Sequence, residues 1–225
     1  MTARLRFPRG LYGVTPEWDD TQRLLAAVRA AAAGGMTALQ WRRKTGDARA
    51  RRFQVRALRA LCAKLKVVFI VNDDWRLAAE TGADGVHLGR EDGSARQARL
   101  ALGPQAIIGC SCYNEPALAR QALEAGADYI AFGAVYPSRI KPQAVRATLD
   151  DIRRGRALAE AAGGATRAAV VAIGGLDPAN AAPVIAAGAD SIALISGLFA
   201  AGSIRGAAAR GRELFDIGHR RHAHG

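Results

Sequence analysis

The sequence predicts an α/β fold, a closed (β/α)8 barrel forming a single domain over residues 1–225, and three observations carry that reading. Short β-branched or aromatic runs alternate eight times with Ala-rich helical stretches. A small-residue phrase recurs just ahead of strands, as Ala33-Gly34-Gly35-Met36, Thr81-Gly82-Ala83-Asp84-Gly85, Glu124-Ala125-Gly126-Ala127-Asp128-Tyr129 and Ala187-Gly188-Ala189-Asp190-Ser191. Each copy supplies a helix stop and a tight turn into the next strand. No G-x-G-x-x-G follows the first strand, which argues against an open dinucleotide-binding sheet. With 50% hydrophobic residues the chain can bury a sizeable core, and a barrel of this length counts as one domain. Continuous apolar runs such as Val67-Val68-Phe69-Ile70-Val71 fit parallel strands buried on both faces.

The first strand is expected over 11–15. Ahead of it, Met1 to Arg6 leads into Pro8 and Gly10 without the apolar run of a secretory signal, and no stretch has the length and freedom from charge of a membrane span. A soluble, cytoplasmic protein is therefore expected, and three cysteines without a metal-finger spacing fit a reducing compartment. The second strand, 37–42, runs into Gln40-Trp41-Arg42-Arg43-Lys44. If the chain stays extended, Gln40, Arg42 and Lys44 share one side and offer an amide, a guanidinium and an ammonium to an anion. The plainer alternative pairs Lys44 with Asp47. Trp41 is expected to pack, with a place in the wall of the site as its alternative.

The third strand, 67–72, ends on Asn72-Asp73, and the fourth, 85–88, leads through His87, Leu88, Gly89, Arg90 and Glu91 to Asp92. Ligands of parallel α/β folds sit outside the carboxyl ends of strands, so Asp73 and Asp92 are placed to hold one hard cation, Mg²⁺. The competing reading has Asp73 capping the next helix and Asp92 in a solvated turn. His87 reads equally as a satisfied buried histidine, since Mg²⁺ prefers oxygen. On the fifth strand, 107–111, Cys110 and Cys112 share a face on either side of Ser111 and could chelate or oxidise, although no further ligand pair lies near. The sixth strand, 129–133, opens into the longest loop, with Ser138, Arg139 and Lys141. The seventh and eighth, 168–173 and 191–195, end in Ile173-Gly174-Gly175 and Ile195-Ser196-Gly197, the position where such barrels bind a monophosphate through backbone donors.

Lys and Arg number 32 against 20 Asp and Glu, a formal charge of +12. Arg49, Arg52, Arg56 and Arg59 fall on one helical face, which offers a phosphate-backbone footprint. A solvated outer helix is the preferred reading, because the segment holds one aromatic, Phe53, and no recognition motif. The tail from about 217, with His219, His222 and His224, is expected to fray.

Taken in order, Gln40-x-Arg42-x-Lys44, Asn72-Asp73, His87-Leu88-Gly89-x-Glu91-Asp92, Gly109-x-Ser111, Gly133-x-x-Tyr136-Pro137-Ser138-x-x-Lys141, Ile173-Gly174-Gly175 and Ile195-Ser196 resemble the thiamine-phosphate synthase family from Leu11 to Phe199. The resemblance implies a transferase that joins hydroxymethylpyrimidine diphosphate to hydroxyethylthiazole phosphate, giving thiamine phosphate and diphosphate. It implies Mg²⁺ on Asp73 and Asp92, with Lys44, Ser111 and Lys141 catalytic. The diphosphate and pyrimidine fall to Gln40, Arg42, Lys44, Asn72, Ser111, Ser138 and Lys141, and the thiazole phosphate to Gly175, Ile195 and Ser196. The loop 134–148 is implied to close over the site. Expected partners are the two small substrates, with neither nucleic acid nor membrane, and a homo-oligomer left open.

Three positions depart from the family pattern: Ile140 stands where a second Thr is common, Arg90 replaces Gln, and Tyr113 occupies a frequent His position. The chief rival is the related thiazole tautomerase, an isomerase that acts without Mg²⁺ through a His aligned with Tyr113. Behind it stand a Schiff-base enzyme using Lys44 or Lys141 and a basic nucleic-acid scaffold.

Overall fold

A computed structural model describes residues 3–137 and 145–222, with side chains to position 216. Eight parallel strands close into a TIM barrel: β2 (Gly10–Val14), β3 (Met36–Trp41), β4 (Val68–Asn72), β5 (Gly85–Leu88), β6 (Ile107–Tyr113), β7 (Tyr129–Phe132), β9 (Ala169–Ile173) and β10 (Ser191–Leu194). Each pairs with its neighbour in chain order, and β10 returns to β2. The eight predicted strands therefore stand, with ends shifted by up to two residues. The sequence reading missed a two-residue pair, β1 (Arg4–Leu5) with β8 (Thr166–Arg167), too short to show periodicity.

The helices α1 (Thr21–Ala33), α2 (Ala48–Leu65), α3 (Trp75–Thr81), α4 (Ala95–Leu102), α5 (Pro116–Glu124), α6 (Leu149–Ala162), α7 (Ala182–Ala186), α8 (Ser196–Phe199) and α9 (Ile204–His222) surround the strands. Local chemistry explains their starts. Asp20, Asp47 and Asp74 accept from the backbone N–H three residues on, and Ser94 and Thr148 form capping boxes with Gln97 and Asp151. Asp47 is thus a cap rather than a partner for Lys44. Helical backbone in α9 extends past 217, where fraying is expected from the sequence.

Two cores result. The larger lies between strands and helices, and Trp41 is buried there, donating to Gln54 Oε1 at 2.7 Å, so it packs rather than walling the cavity. The smaller fills the barrel, where two large rings alternate with small neighbours. Tyr12 sits in register between Ala38 and Ala193, and Tyr129 between Gly109 and Ala169. A Cβ on Gly109 would lie 1.9 Å from a Tyr129 ring carbon, so only glycine fits beside that ring. Phe7 stacks on Tyr129 with ring centroids 4.2 Å apart.

The Ala-Gly-Ala-Asp phrase does more than turn the chain. Asp84, Asp128 and Asp190 each reach back to accept the backbone N–H of Phe69, Ile108 and Val170 at the start of the preceding strand. Each carboxylate also meets arginine: Arg59 at Asp84, Arg6 and Arg99 at Asp128, Arg156 and Arg167 at Asp190.

Candidate active site

The strands deliver their C-terminal residues to one cavity of about 400 Å³. Gln40, Arg42, Lys44, Asn72, Asp73, Asp92, Ser111 and Ile195 line it together, joined by Tyr12, His87, Arg90, Tyr113 and Gly174. Gly175 and Ser196 flank the lining residues Gly174 and Ile195 without lining the cavity themselves. Gly175 has φ +63°, and a Cβ there would meet the Pro137 carbonyl oxygen at 2.5 Å. Ser138, Arg139, Ile140 and Lys141 lie outside the described residues.

At the end of β3 the alternation continues after the ladder stops. Thr15 Oγ1 accepts from the Arg42 N–H at 2.9 Å, and the Arg42 guanidinium donates to Glu17 Oε1 at 3.0 Å. Lys44 Nζ stands 3.5 Å from Asp73 Oδ2. The cap of α3 is Asp74, whose Oδ1 accepts from Leu77 N–H at 2.9 Å; this leaves Asp73 free of that task, at a left-handed φ of +63°. Burial raises the Asp73 carboxyl pKa, and hydrogen bonding and repulsion from Asp92 raise it further, against the pull of Lys44. Asp92 is itself held by the turn, its Oδ2 accepting from Gly89 N–H at 2.8 Å. No group of three or more His, Cys, Asp or Glu suited to a metal exists among the described residues.

A bulge between Ser111 and Tyr113 re-aims the end of β6, with Tyr113 at φ +53°. Both line the cavity, and the Arg90 guanidinium lies 5.2 Å from the Tyr113 ring centroid while pairing with Glu115. Cys110 and Cys112 point instead into the outer core as free thiols. Burial pushes the two thiols up to about 11 and about 12, so both stay protonated at neutral pH in the metal-free fold. His87 is the satisfied histidine: Nε2 is 2.8 Å from Ser111 Oγ and Nδ1 is 3.0 Å from Tyr129 Oη. Sequence reasoning missed Tyr12 as a lining residue; the two-residue period of its strand, which puts Tyr12 and Val14 on one face, was the available signal.

The arginine stripe on α2 clasps α3. Arg52 binds both oxygens of Glu80, at 3.0 and 2.9 Å, Arg56 joins it at 3.1 Å, and Arg59 donates to the Gly82 carbonyl. No helix among the described residues is long and apolar enough to cross a membrane.

The family model described as "Thiamine monophosphate synthase" matches residues 11–198. The chain is 57% identical over 213 residues to the thiamine-phosphate synthase of Bordetella pertussis, covering 95% of this chain and 98% of that one. It is 60% identical over 204 residues to the Bordetella avium protein of the same name, covering 91% and 94%. Among solved structures, thiamine phosphate pyrophosphorylase from Pyrococcus furiosus matches with a TM-score of 0.79 at 33% identity, covering 94% of this chain and 98% of that one.

Proposed function

The chain belongs to the thiamine-phosphate synthase family, and from that premise we propose that its cavity condenses hydroxymethylpyrimidine diphosphate with hydroxyethylthiazole phosphate, giving thiamine phosphate and releasing diphosphate. The observation that carries this reading is the convergence of cationic and acidic groups on one wall: Arg42 and Lys44 beside Asp73 and Asp92, with Lys44 Nζ 3.5 Å from Asp73 Oδ2.

The reaction calls for no protein nucleophile. The amino group of the pyrimidine stabilises the cation left when diphosphate departs, and the thiazole nitrogen captures that cation. The protein's work is to receive charge and to hold two substrates in line. Gln40, Arg42, Lys44 and Asn72 bind the diphosphate and pyrimidine, with Ser138 and Lys141 completing the set. The Arg42 guanidinium exchanges Glu17 for phosphate oxygen when substrate arrives. Ser111 faces the reacting carbon, and the enclosing walls, Tyr113 included, keep water from the cation. The thiazole phosphate is assigned to the backbone around Gly175, Ile195 and Ser196, a reading supported by Gly174 and Ile195 lining the same cavity.

The donor set fits Mg²⁺. Asp73 and Asp92 are oxygen donors whose mutual repulsion, part of the cause of the raised Asp73 pKa, a divalent cation relieves. Mg²⁺ commonly takes one or two carboxylates and completes its shell with water and substrate phosphates. When bound, it supplies Lewis-acid withdrawal of charge from the departing diphosphate.

A mass-detected assay with both precursors, run with Mg²⁺ and with chelator on the wild type and Asp92→Ala, tests the proposal. Thiamine phosphate is expected only from the wild type with Mg²⁺. Its absence from well-folded wild-type protein would point to the tautomerase, checked with the thiazole phosphate alone. The residue that lines the cavity at the tautomerase histidine's position is Tyr113, which weighs against that rival.

A further inference from the structure

Along the cavity floor a chain of hydrogen bonds crosses the barrel from β3 to β6. Gln40 Nε2 donates to Tyr12 Oη at 2.7 Å, Tyr12 Oη lies 2.9 Å from Tyr129 Oη, Tyr129 Oη 3.0 Å from His87 Nδ1, and His87 Nε2 2.8 Å from Ser111 Oγ. Gln40, Tyr12, His87 and Ser111 line the cavity, while Tyr129 lies below it in the barrel core. Each ring is also fixed by packing: Tyr129 stacks between Phe7 and His87, at centroid distances of 4.2 and 5.5 Å, and Gly109 leaves room for it.

Either phenol can donate across the Tyr12–Tyr129 contact, and the His87 nitrogens follow the tautomer. With Gln40 Nε2 giving a hydrogen to Tyr12 Oη, the arrangement that uses every hydrogen along the chain has Tyr12 donating to Tyr129. Tyr129 Oη then accepts from Tyr12 and donates to His87 Nδ1. A neutral imidazole whose Nδ1 accepts carries its hydrogen on Nε2, and that hydrogen goes to Ser111 Oγ. The serine oxygen thus receives a hydrogen bond from below, and its own hydrogen is directed into the cavity. Burial raises the pKa values of both phenols, so each keeps the hydrogen the chain requires.

We infer that Tyr12 and Tyr129 are positioning residues, which lock the His87 tautomer so that Ser111 presents a hydrogen-bond donor, rather than a lone pair, to an anionic oxygen of the bound substrate. The inference rests on the proposed reading for the identity of that substrate, but the direction of the chain does not. A reversed chain, with the Gln40 carbonyl oxygen on Tyr12, would put the imidazole hydrogen on Nδ1 and leave Ser111 offering a lone pair to the cavity. The two arrangements differ in one observable, the tautomer of His87.

Long-range ¹H–¹⁵N correlation on the full chain labelled with ¹⁵N-histidine tests this without substrate. The buried histidine is expected to be neutral with its hydrogen on Nε2, and to become a mixture of tautomers in Tyr129→Phe. A wild-type signal with the hydrogen on Nδ1 overturns the inference whether or not the enzyme reading stands. The kinetic test is a double-mutant cycle. Tyr129→Phe should lower kcat by about 10-fold with KM little changed, below the roughly 100-fold or more for removing a direct donor, and should have no further effect in a Ser111→Ala background. Equal losses in both backgrounds would make Tyr129 a structural residue only and sink the idea. If Tyr129→Phe fails to fold, Tyr12→Phe, which cuts the chain one link earlier, carries the same two readouts.

Discussion

Asp73 is a residue held where it is not comfortable. Its φ of +63° and its contact with Asp92 both cost free energy in the metal-free fold, and Asn tolerates that backbone region at least as well as Asp does. A carboxyl whose pKa is higher in the folded state binds its proton more tightly when folded, so its ionisation opposes folding. The metal-free protein therefore loses stability as pH rises from the ordinary carboxylate range, about 4, through the raised Asp73 value. Asp73→Asn removes this penalty. In chelator at neutral pH it is expected to melt about 2 °C above the wild type, an advantage that vanishes below about pH 4 and is read by calorimetry at both pH values. Mg²⁺ should raise the melting temperature of the wild type but not of the variant, and equal metal shifts would remove Asp73 from the cation site. The sequence placed two acids at strand ends, and its competing reading made Asp73 the cap of the next helix; the cap is Asp74, one residue on, a shift that the strand-to-helix junction does not announce locally. The cysteines are a parallel case. Cys110 and Cys112 do share a face, as alternation requires, but that face is the helix-covered one. All three thiols, with Cys62 pushed up to about 12, should resist a disulfide reagent at pH 8 until the protein is unfolded.

At the scale of elements, the recurring Asp before a strand binds one strand–helix unit to the one before it. Asp190 is the most committed copy, since its carboxylate accepts from Arg167 twice at 2.7 Å, from Arg156 at 3.0 Å and from the Val170 N–H at 2.9 Å. Arg167 is buried, so removing Asp190 leaves a guanidinium inside the protein without its counter-charge. Asp190→Ala is expected to cost about 3–5 kcal/mol, measured by urea unfolding. Asp84 makes the same backbone contact, but its ion pair with Arg59 is about one-third exposed on each side. Asp84→Ala should therefore cost only about 1–2 kcal/mol. Equal losses at the two positions would mean that the backbone bond, not the buried arginine, dominates. The sequence marked these phrases as turns because Gly and Ala announce a helix stop locally. The role of the Asp was hidden, since its partner lies on the preceding strand, a full helix away in sequence.

For the whole molecule, a closed barrel was readable because eight similar units leave few other ways to bury runs that are apolar on both faces. The hydrogen-bonded chain from Gln40 to Ser111 was not, since its members come from five strands and meet only once the barrel closes. Charge is the other property of the whole. The formal +12 resembles that of a polyanion-binding protein, but the exposed stripe on α2 is largely paired with Glu80 and Asp84. What remains is a general positive field around the cavity proposed to take up two phosphorylated substrates. Such a field speeds the encounter with anions and is screened over roughly 8–10 Å at physiological salt, whereas contacts inside the cavity are screened much less. Raising monovalent salt from about 50 to 300 mM, at saturating Mg²⁺, should therefore lower kcat/KM for the diphosphate substrate severalfold while leaving kcat nearly unchanged. Duplex DNA added at low salt should compete weakly and lose its effect as salt rises. Strong inhibition by DNA that survives physiological salt would show that the α2 face is a binding surface in its own right, despite its ion pairs.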